Sequence, residues 1–368
     1  MKRLEAHKQA LYELRFSPMC KPATEVANVT QLESHTVRAR TMMFWRIAEG
    51  VLDWGPREAE LTYESTLDSI SAAFDVFHYP IHRYMLDARA DIWDAGLAPA
   101  CVKRVVEASA SQAAGEAPQG DTLLLAGEIA QLGDEALLAS IRAALRGAGV
   151  QASTWVAPTG ALAFALGAWD VAKAQAKEVV TGVRASHAKT VIADGAEAAW
   201  VLTKVYPELG AELPEGVVVR LLSEVLDENL DPGKKDLGKV FVHDSRPAYL
   251  ISTEEPTYTV ILPGYTEDET TFGKGPVYDA PRRLLDRLGA QRVWGPWTRA
   301  LAKSSGADDG LWLTHPYLAE KLAVQRLDHV ESLGATTVVT DSPLAAAWLA
   351  KHAGGREVEV KLLAELLA

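Results

Sequence analysis

The chain has 368 residues, 48% of them hydrophobic and 23% charged, an ordinary globular composition with room for roughly two or three cored domains. Its net charge of −12 argues against a nucleic-acid or anionic-membrane surface, and no segment approaches the roughly 18 apolar residues of a membrane span. Two cysteines, Cys20 and Cys101, cannot build a disulfide framework or a four-thiolate metal site, and the charged start MKRLEAHKQALYELRF lacks the apolar core of a secretory signal, so a cytoplasmic protein is expected.

Residues 1–115 read as helix throughout. Leu4, Leu11 and Leu14 share one face, and Ser34 and Gly50 are natural ends for a helix over 34–50. Pro56 opens a third helix expected to reach residue 77, Pro80 breaks it, and a fourth runs to Gly96. The stretch QAAGEAPQG at 112–120 marks a boundary. Beyond it, short apolar runs alternate with helical patterns: strands in DTLLLAGE, at 150–156 and at 190–193, helices over 134–145, 161–187 and 196–205, then VVVRLLSEVLDE as strand and helix. Such alternation predicts a parallel α/β sheet. After the polar linker 227–239 the pattern restarts, with strands in KVFVHD, YTVILPG, at 291–293 and in TTVVTD, and helices over 279–288, 317–333 and 343–352. AKTVIADGAEAAWVL aligns with ATTVVTDSPLAAAWL, and VVVRLLSEVL with VEVKLLAELL, which reads as an internal duplication.

Two stretches have the spacing of a cluster-ligand loop without its ligands. The bacterial ferredoxin run sets cysteines at C-x2-C-x2-C-x3-C before a proline. Counted back from Pro80, those positions hold Ser69, Ala72, Asp75 and Tyr79; counted back from Pro22, they hold Leu11, Leu14, Ser17 and Lys21. Cys20 is one residue out of register.

With these features the chain resembles the iron–sulfur subunits of heterodisulfide reductase and glycolate oxidase. That family joins an N-terminal helical domain with two [4Fe–4S] motifs to two cysteine-rich CCG repeats. LESHTVRARTMMFWRIAEGVLDW resembles the family's connecting helix, with Arg38-Ala39 at its usual Arg-Gly, and Arg89 stands at a family arginine. VFVHDSRPAYL resembles the strand ending in His-Asp-Pro-Cys, so that Arg246 takes the cysteine position. Ser304-Ser305-Gly306 stands at Cys-Cys-Gly, and Ser342-Pro343-Leu344-Ala345 at Cys-Pro-x-Cys. In the first repeat Gly127-Glu128 stands at Gly-Cys, Pro158-Thr159-Gly160 at Cys-Cys-Gly, and Asp194 near a further cysteine.

The resemblance implies an α+α/β fold: a degenerate helical ferredoxin-like domain over 1–115 and two CCG-like α/β repeats with parallel sheets over 121–230 and 238–368. The family would carry [4Fe–4S] clusters, but every counted ligand position here lacks a thiolate, so no cofactor and no catalytic residue are expected. Leu11, Leu14 and Ala72 can fill the space of a cluster. Asp75, His78 and His82 supply too few ligands on one helix for another metal.

The function implied is a scaffold or regulatory subunit, its partner a flavin-dependent dehydrogenase or an intact iron–sulfur paralogue. One alternative is a stand-alone protein that binds a small anion, or an enzyme with replaced chemistry, using the cleft between the repeats. Its pocket would be lined by His243, Asp244, Arg246, Ser304, Ser305, Asp341 and Ser342, at the carboxyl ends of predicted strands. No G-x-S-x-G elbow accompanies His243 and the serines. A second alternative is an electron-transfer subunit that shares a cluster with another chain.

Overall fold

A computed structural model describes residues 2–16, 20–75, 79–252, 273 and 275–368. The predicted strand YTVILPG lies outside the described residues, as do Ser17 and His78. The protein is a mixture of helices and parallel sheets. Sheet A holds β1 (Thr122–Leu125), β2 (Ser153–Trp155), β3 (Thr190–Ala193) and β4 (Val218–Leu221). Sheet B holds β5 (Lys239–Val242), β6 (Gln291–Val293), β7 (Thr337–Thr340) and β8 (Glu359–Leu362). All pairings are parallel, and the orders are the same: β2-β1-β3-β4 and β6-β5-β7-β8. β3 (TVIA) and β7 (TVVT) are rich in β-branched residues and mostly buried, as central strands covered on both faces require.

Both repeats end on the same device. After β4 and β8 the chain turns directly into a helix, and the glutamate three residues on reaches back to the last strand amide. Leu221 N–H donates to Glu224 at 3.4 Å, and Leu362 N–H to Glu365 at 2.7 Å.

Contacts gather the chain into two compact units. One, the α/β unit, contains both sheets (residues 112–161, 173–302 and 326–368). The other, the helical unit, contains residues 1–111 together with 162–172, which follows Pro158-Thr159-Gly160, and 303–325, which includes Ser304-Ser305-Gly306. The sheets fall into one unit because they share one core. Leu124 and Ile192 of sheet A and Val240, Val242 and Val339 of sheet B belong to a single buried apolar cluster. Helices close it reciprocally. Glu135–Gly147, from the first repeat, packs on Leu363–Leu367, from the second; Leu222–Asn229, from the first, packs on Pro276–Leu288, from the second.

One predicted helix is divided. The helix expected over 56–77 runs as Pro56–Tyr63 and Ser69–Phe74. The turn between them is held by two buried arginines. Arg40 donates to the carbonyls of Leu61, Glu64 and His35, and pairs with Asp68 at 3.2 Å. Arg89 donates to the Ser65 and Ala165 carbonyls at 2.6 and 2.7 Å. These fixed carbonyls are unavailable to a continuous helix. The helices expected over 161–187 are Ala161–Ala165 and Trp169–Ser186. Gly167 separates them at φ +85°, where a Cβ would come within 2.4 Å of the Arg89 backbone. Among the described residues, no helix is long and apolar enough to cross a membrane.

Truncating a shared-core side chain tests this arrangement. Leu284→Ala should destabilise the α/β unit by about 2–5 kcal/mol. Trp155 in sheet A and Trp348 beside sheet B should still report one common unfolding midpoint in denaturant. Two separated midpoints would show that the sheets do not form one core.

Candidate functional site

The carboxyl ends of the strands in the α/β unit carry two related polar clusters. The registers relate them: Thr122 of β1 pairs with Thr190, and Val240 of β5 pairs with Thr337, the aligned threonine of the second repeat. Glu128 follows Thr122 by six residues (128 − 122), and Arg246 follows Val240 by six (246 − 240), so they occupy corresponding places.

Beyond sheet A, Asp194 closes the turn after β1. It accepts the N–H groups of Gly127, Glu128 and Ile129 at 3.0, 3.2 and 2.9 Å. Gly127 is required there, since a Cβ would lie 2.6 Å from the Thr159 methyl. The buried Glu128 carboxylate then spans the two repeats. One oxygen accepts the Glu197 N–H at 3.3 Å; the other accepts the Ser342 hydroxyl at 2.6 Å and the Leu344 N–H at 3.3 Å. Burial, with Asp194 and Glu197 nearby, pushes the Glu128 carboxyl well above its ordinary range. Burial pushes Asp194 up to about 6 despite its three N–H donors.

Beyond sheet B the charges are distributed differently. The Asp244 carboxylate is held bidentately by Arg282, at 2.7 and 2.8 Å, and accepts the Arg299 N–H at 2.6 Å. Burial alone would raise its pKa, but the Arg282 guanidinium and these donors hold it below the usual range. Arg299, at φ +54°, also donates to Asp279 at 2.6 Å and to the Gly273 carbonyl. His243 is fully buried and accepts at Nδ1 from Arg326 Nε at 3.0 Å. Burial, with Arg326 beside it, drives the imidazole well below its ordinary pKa, so it is neutral. Arg246 donates to the Ala302 carbonyl at 3.1 Å.

Asp341 aligns with Asp194 but lacks an equivalent set of donors among the described residues. The position matching Ile129 is Pro247, which has no N–H to give. Its described partner is the Ser223 hydroxyl at 3.5 Å. Burial and the nearby Asp244 push the Asp341 carboxyl up to about 7.

Of the seven residues expected to line a pocket, six are buried: His243, Asp244, Arg246, Ser304, Ser305 and Ser342. Asp341 is half-buried. Five belong to the α/β unit, and four of these, His243, Asp244, Arg246 and Asp341, surround the turn after β5. Ser342 faces Glu128. Ser304 and Ser305 belong to the helical unit, where the Ser304 N–H donates to Glu25 and both hydroxyls face Asp308.

In the helical unit the counted ligand positions fall as follows. Leu11, Leu14, Ser69, Ala72 and Asp75 are buried, Lys21 is exposed, and Tyr79 is half-buried with its hydroxyl on Glu13. No group of His, Cys, Asp and Glu suited to a metal is present among the described residues. Cys101 is half-buried, and burial with Glu60 nearby raises its thiol pKa, so it is not a reactive thiolate.

The sequence reading overlooked Arg282, Arg299 and Arg326. For two of them a signal exists. Arg282 lies four residues after Tyr278 and three before Leu285, and Arg326 four after Leu322 and four before Val330, both on the apolar stripe of their helix. An arginine on such a stripe marks a buried carboxylate or imidazole partner.

No family model matches the chain, and no curated protein matches it. Among solved structures it is similar to a hypothetical protein from Helicobacter pylori, with a TM-score of 0.61 and 10% identity over 100% of this chain and 72% of that one. At that identity the likeness concerns the fold alone.

The raised carboxyls carry a sign. A carboxyl with a raised folded pKa is harmless when protonated, so its stability contribution is full below the unfolded value near pH 4 and lost as pH rises through 6 to 7 for Asp194 and Asp341. The unfolding free energy should therefore fall from about pH 4 to about pH 7, by up to about 1.4 kcal/mol per unit for each group at the steepest. Asp341→Asn should flatten the upper part of that decline. Arg282→Leu should cost about 3–5 kcal/mol by stranding the Asp244 carboxylate, and adding Asp244→Leu should recover much of the loss.

Proposed function

We propose that the chain is a cluster-free homologue of the iron–sulfur subunits of heterodisulfide reductase and glycolate oxidase. In this reading it serves as a scaffold or regulatory subunit of a flavin- or iron–sulfur-dependent dehydrogenase complex. The observation that carries the reading is how the side chains at the counted ligand positions are used. Leu11, Leu14, Ser69 and Ala72 lie within the protein core. Glu128 bonds the amides and hydroxyl at the starts of two neighbouring helices, and Arg246 bonds a backbone carbonyl. Such residues do not fit a [4Fe–4S] cluster, which needs thiolates and the space these side chains fill. No electron-transfer step is assigned to the chain.

A surface in the helical unit supports the partner. Tyr12, Phe16 and Met42 are 40%, 65% and 43% exposed. The Arg15 guanidinium stacks over Tyr12, Phe16 and Trp45, at 3.8, 4.2 and 4.7 Å from their ring centres. Tyrosine, tryptophan and arginine grouped in this way are the residues that dominate binding energy at protein interfaces.

Anaerobic affinity purification from the source cell tests the reading. The expected result is a stoichiometric flavoprotein or cysteine-rich iron–sulfur partner, with no iron bound to this chain after separation. Phe16→Asp should weaken that association by about 2 kcal/mol, roughly 30-fold, without lowering the chain's own unfolding midpoint. A chain that elutes alone, or one that carries iron and sulfide, overturns the proposal.

A further inference from the structure

The turn after β5 and the helix beside it hold three buried polar groups that nothing described above satisfies. His243, Ser245 and Tyr278 are 0%, 3% and 0% exposed. Their Nε2, Oγ and Oη atoms have no hydrogen-bond partner among the described residues. Buried polar groups without partners are uncommon in folded proteins, and three in one place call for a common explanation.

The chemistry of His243 is determined by its neighbour. Arg326 Nε donates to Nδ1, and a guanidinium has only protons to offer. The neutral imidazole must therefore carry its own proton on Nε2, which makes that atom a donor. The serine and tyrosine hydroxyls also donate. Arg282 brings the pieces together: its Nη1 bonds both the Asp244 carboxylate and the Tyr278 carbonyl, which seats helix Pro276–Leu288 against the 243–246 turn. Tyr278 and Ala248 share one apolar cluster. Asp244 is not the acceptor these donors lack, because both its oxygens are held by Arg282 and one also takes the Arg299 N–H. The guanidiniums of Arg246 and Arg282 border the same turn, which disfavours a cation.

We propose that the turn after β5 binds a small oxyanion, a carboxylate or a phosphate, through His243 Nε2–H, the Ser245 hydroxyl and the Tyr278 hydroxyl. This site is independent of the scaffold reading: a subunit without redox chemistry and a stand-alone protein would bind the anion equally well. Asp341 lies beside the turn, and its carboxyl opposes the anion once charged. Binding should therefore weaken above neutral pH.

Calorimetric titration and thermal unfolding of the full chain test the site, with inorganic phosphate, acetate and a chloride control. Saturable binding of phosphate or acetate, with a rise in midpoint that chloride does not give, is the expected result, and the anion that binds identifies the source. Tyr278→Phe and Ser245→Ala should each weaken binding about tenfold. In anion-free buffer the same variants should unfold at or above the parent midpoint, since each removes a hydroxyl that lacks a partner. The proposal is overturned if neither anion binds saturably, or if binding is unchanged in both variants. It is equally overturned if both variants are less stable in anion-free buffer and no anion acts, which would assign the three groups to internal water.

Discussion

Each sheet of this protein has four strands of three or four residues, too little surface to enclose a core of its own. The chain answers this by exchanging cover. The terminal helix of each repeat packs on a helix that lies between the other repeat's first and second strands, and a single apolar cluster runs through both sheets. Other features of the α/β unit follow from that reciprocal burial. It brings the carboxyl end of β7 within reach of Glu128, and it surrounds ionisable groups at the strand ends with protein rather than water.

Charge at those ends is managed in two ways. Beyond sheet A an acidic cluster is satisfied by neutral donors, backbone N–H groups and a serine hydroxyl, so its carboxyls bind protons more tightly than usual. Beyond sheet B arginines balance the carboxylate of Asp244 and hold it ionised. The difference begins with single residues. Glu128 and Arg246 occupy corresponding places with opposite charge, and Pro247 withholds the amide that Ile129 supplies. Two copies of one supersecondary plan thus present different chemistry at the same point.

Buried arginines shape the helical unit in a comparable way. Arg40 and Arg89 hold carbonyls of the segment between helices Pro56–Tyr63 and Ser69–Phe74, and Asp309 takes the Leu67 N–H at 2.8 Å. A guanidinium offers five donors in a fixed fork, so it can satisfy an irregular backbone that has no other partner in the core. The exposed aromatic group around Arg15 is the opposite case, a cation stacked on rings that remain open to solvent.

Much of this was legible in the sequence. The parallel α/β pattern of both repeats, the strand-to-helix endings in VVVRLLSEVL and VEVKLLAELL, and the change from helix to α/β near residue 112 follow from local periodicity and turn chemistry, which act over a few residues. The absence of cysteine at each counted ligand position is likewise a property of the sequence alone. The divided helix over 56–77, the reciprocal cover of the sheets and the burial of six expected pocket residues were not legible, because each depends on contacts between residues far apart in the chain. Arg282 is ordinary in YDAPRRLLDRL until the fold sets it against Asp244, and His243 acquires its tautomer only when Arg326, 83 positions away, donates to it. Local propensity determined which elements form; long-range burial decided which side chains carry charge and which of them are left wanting a partner.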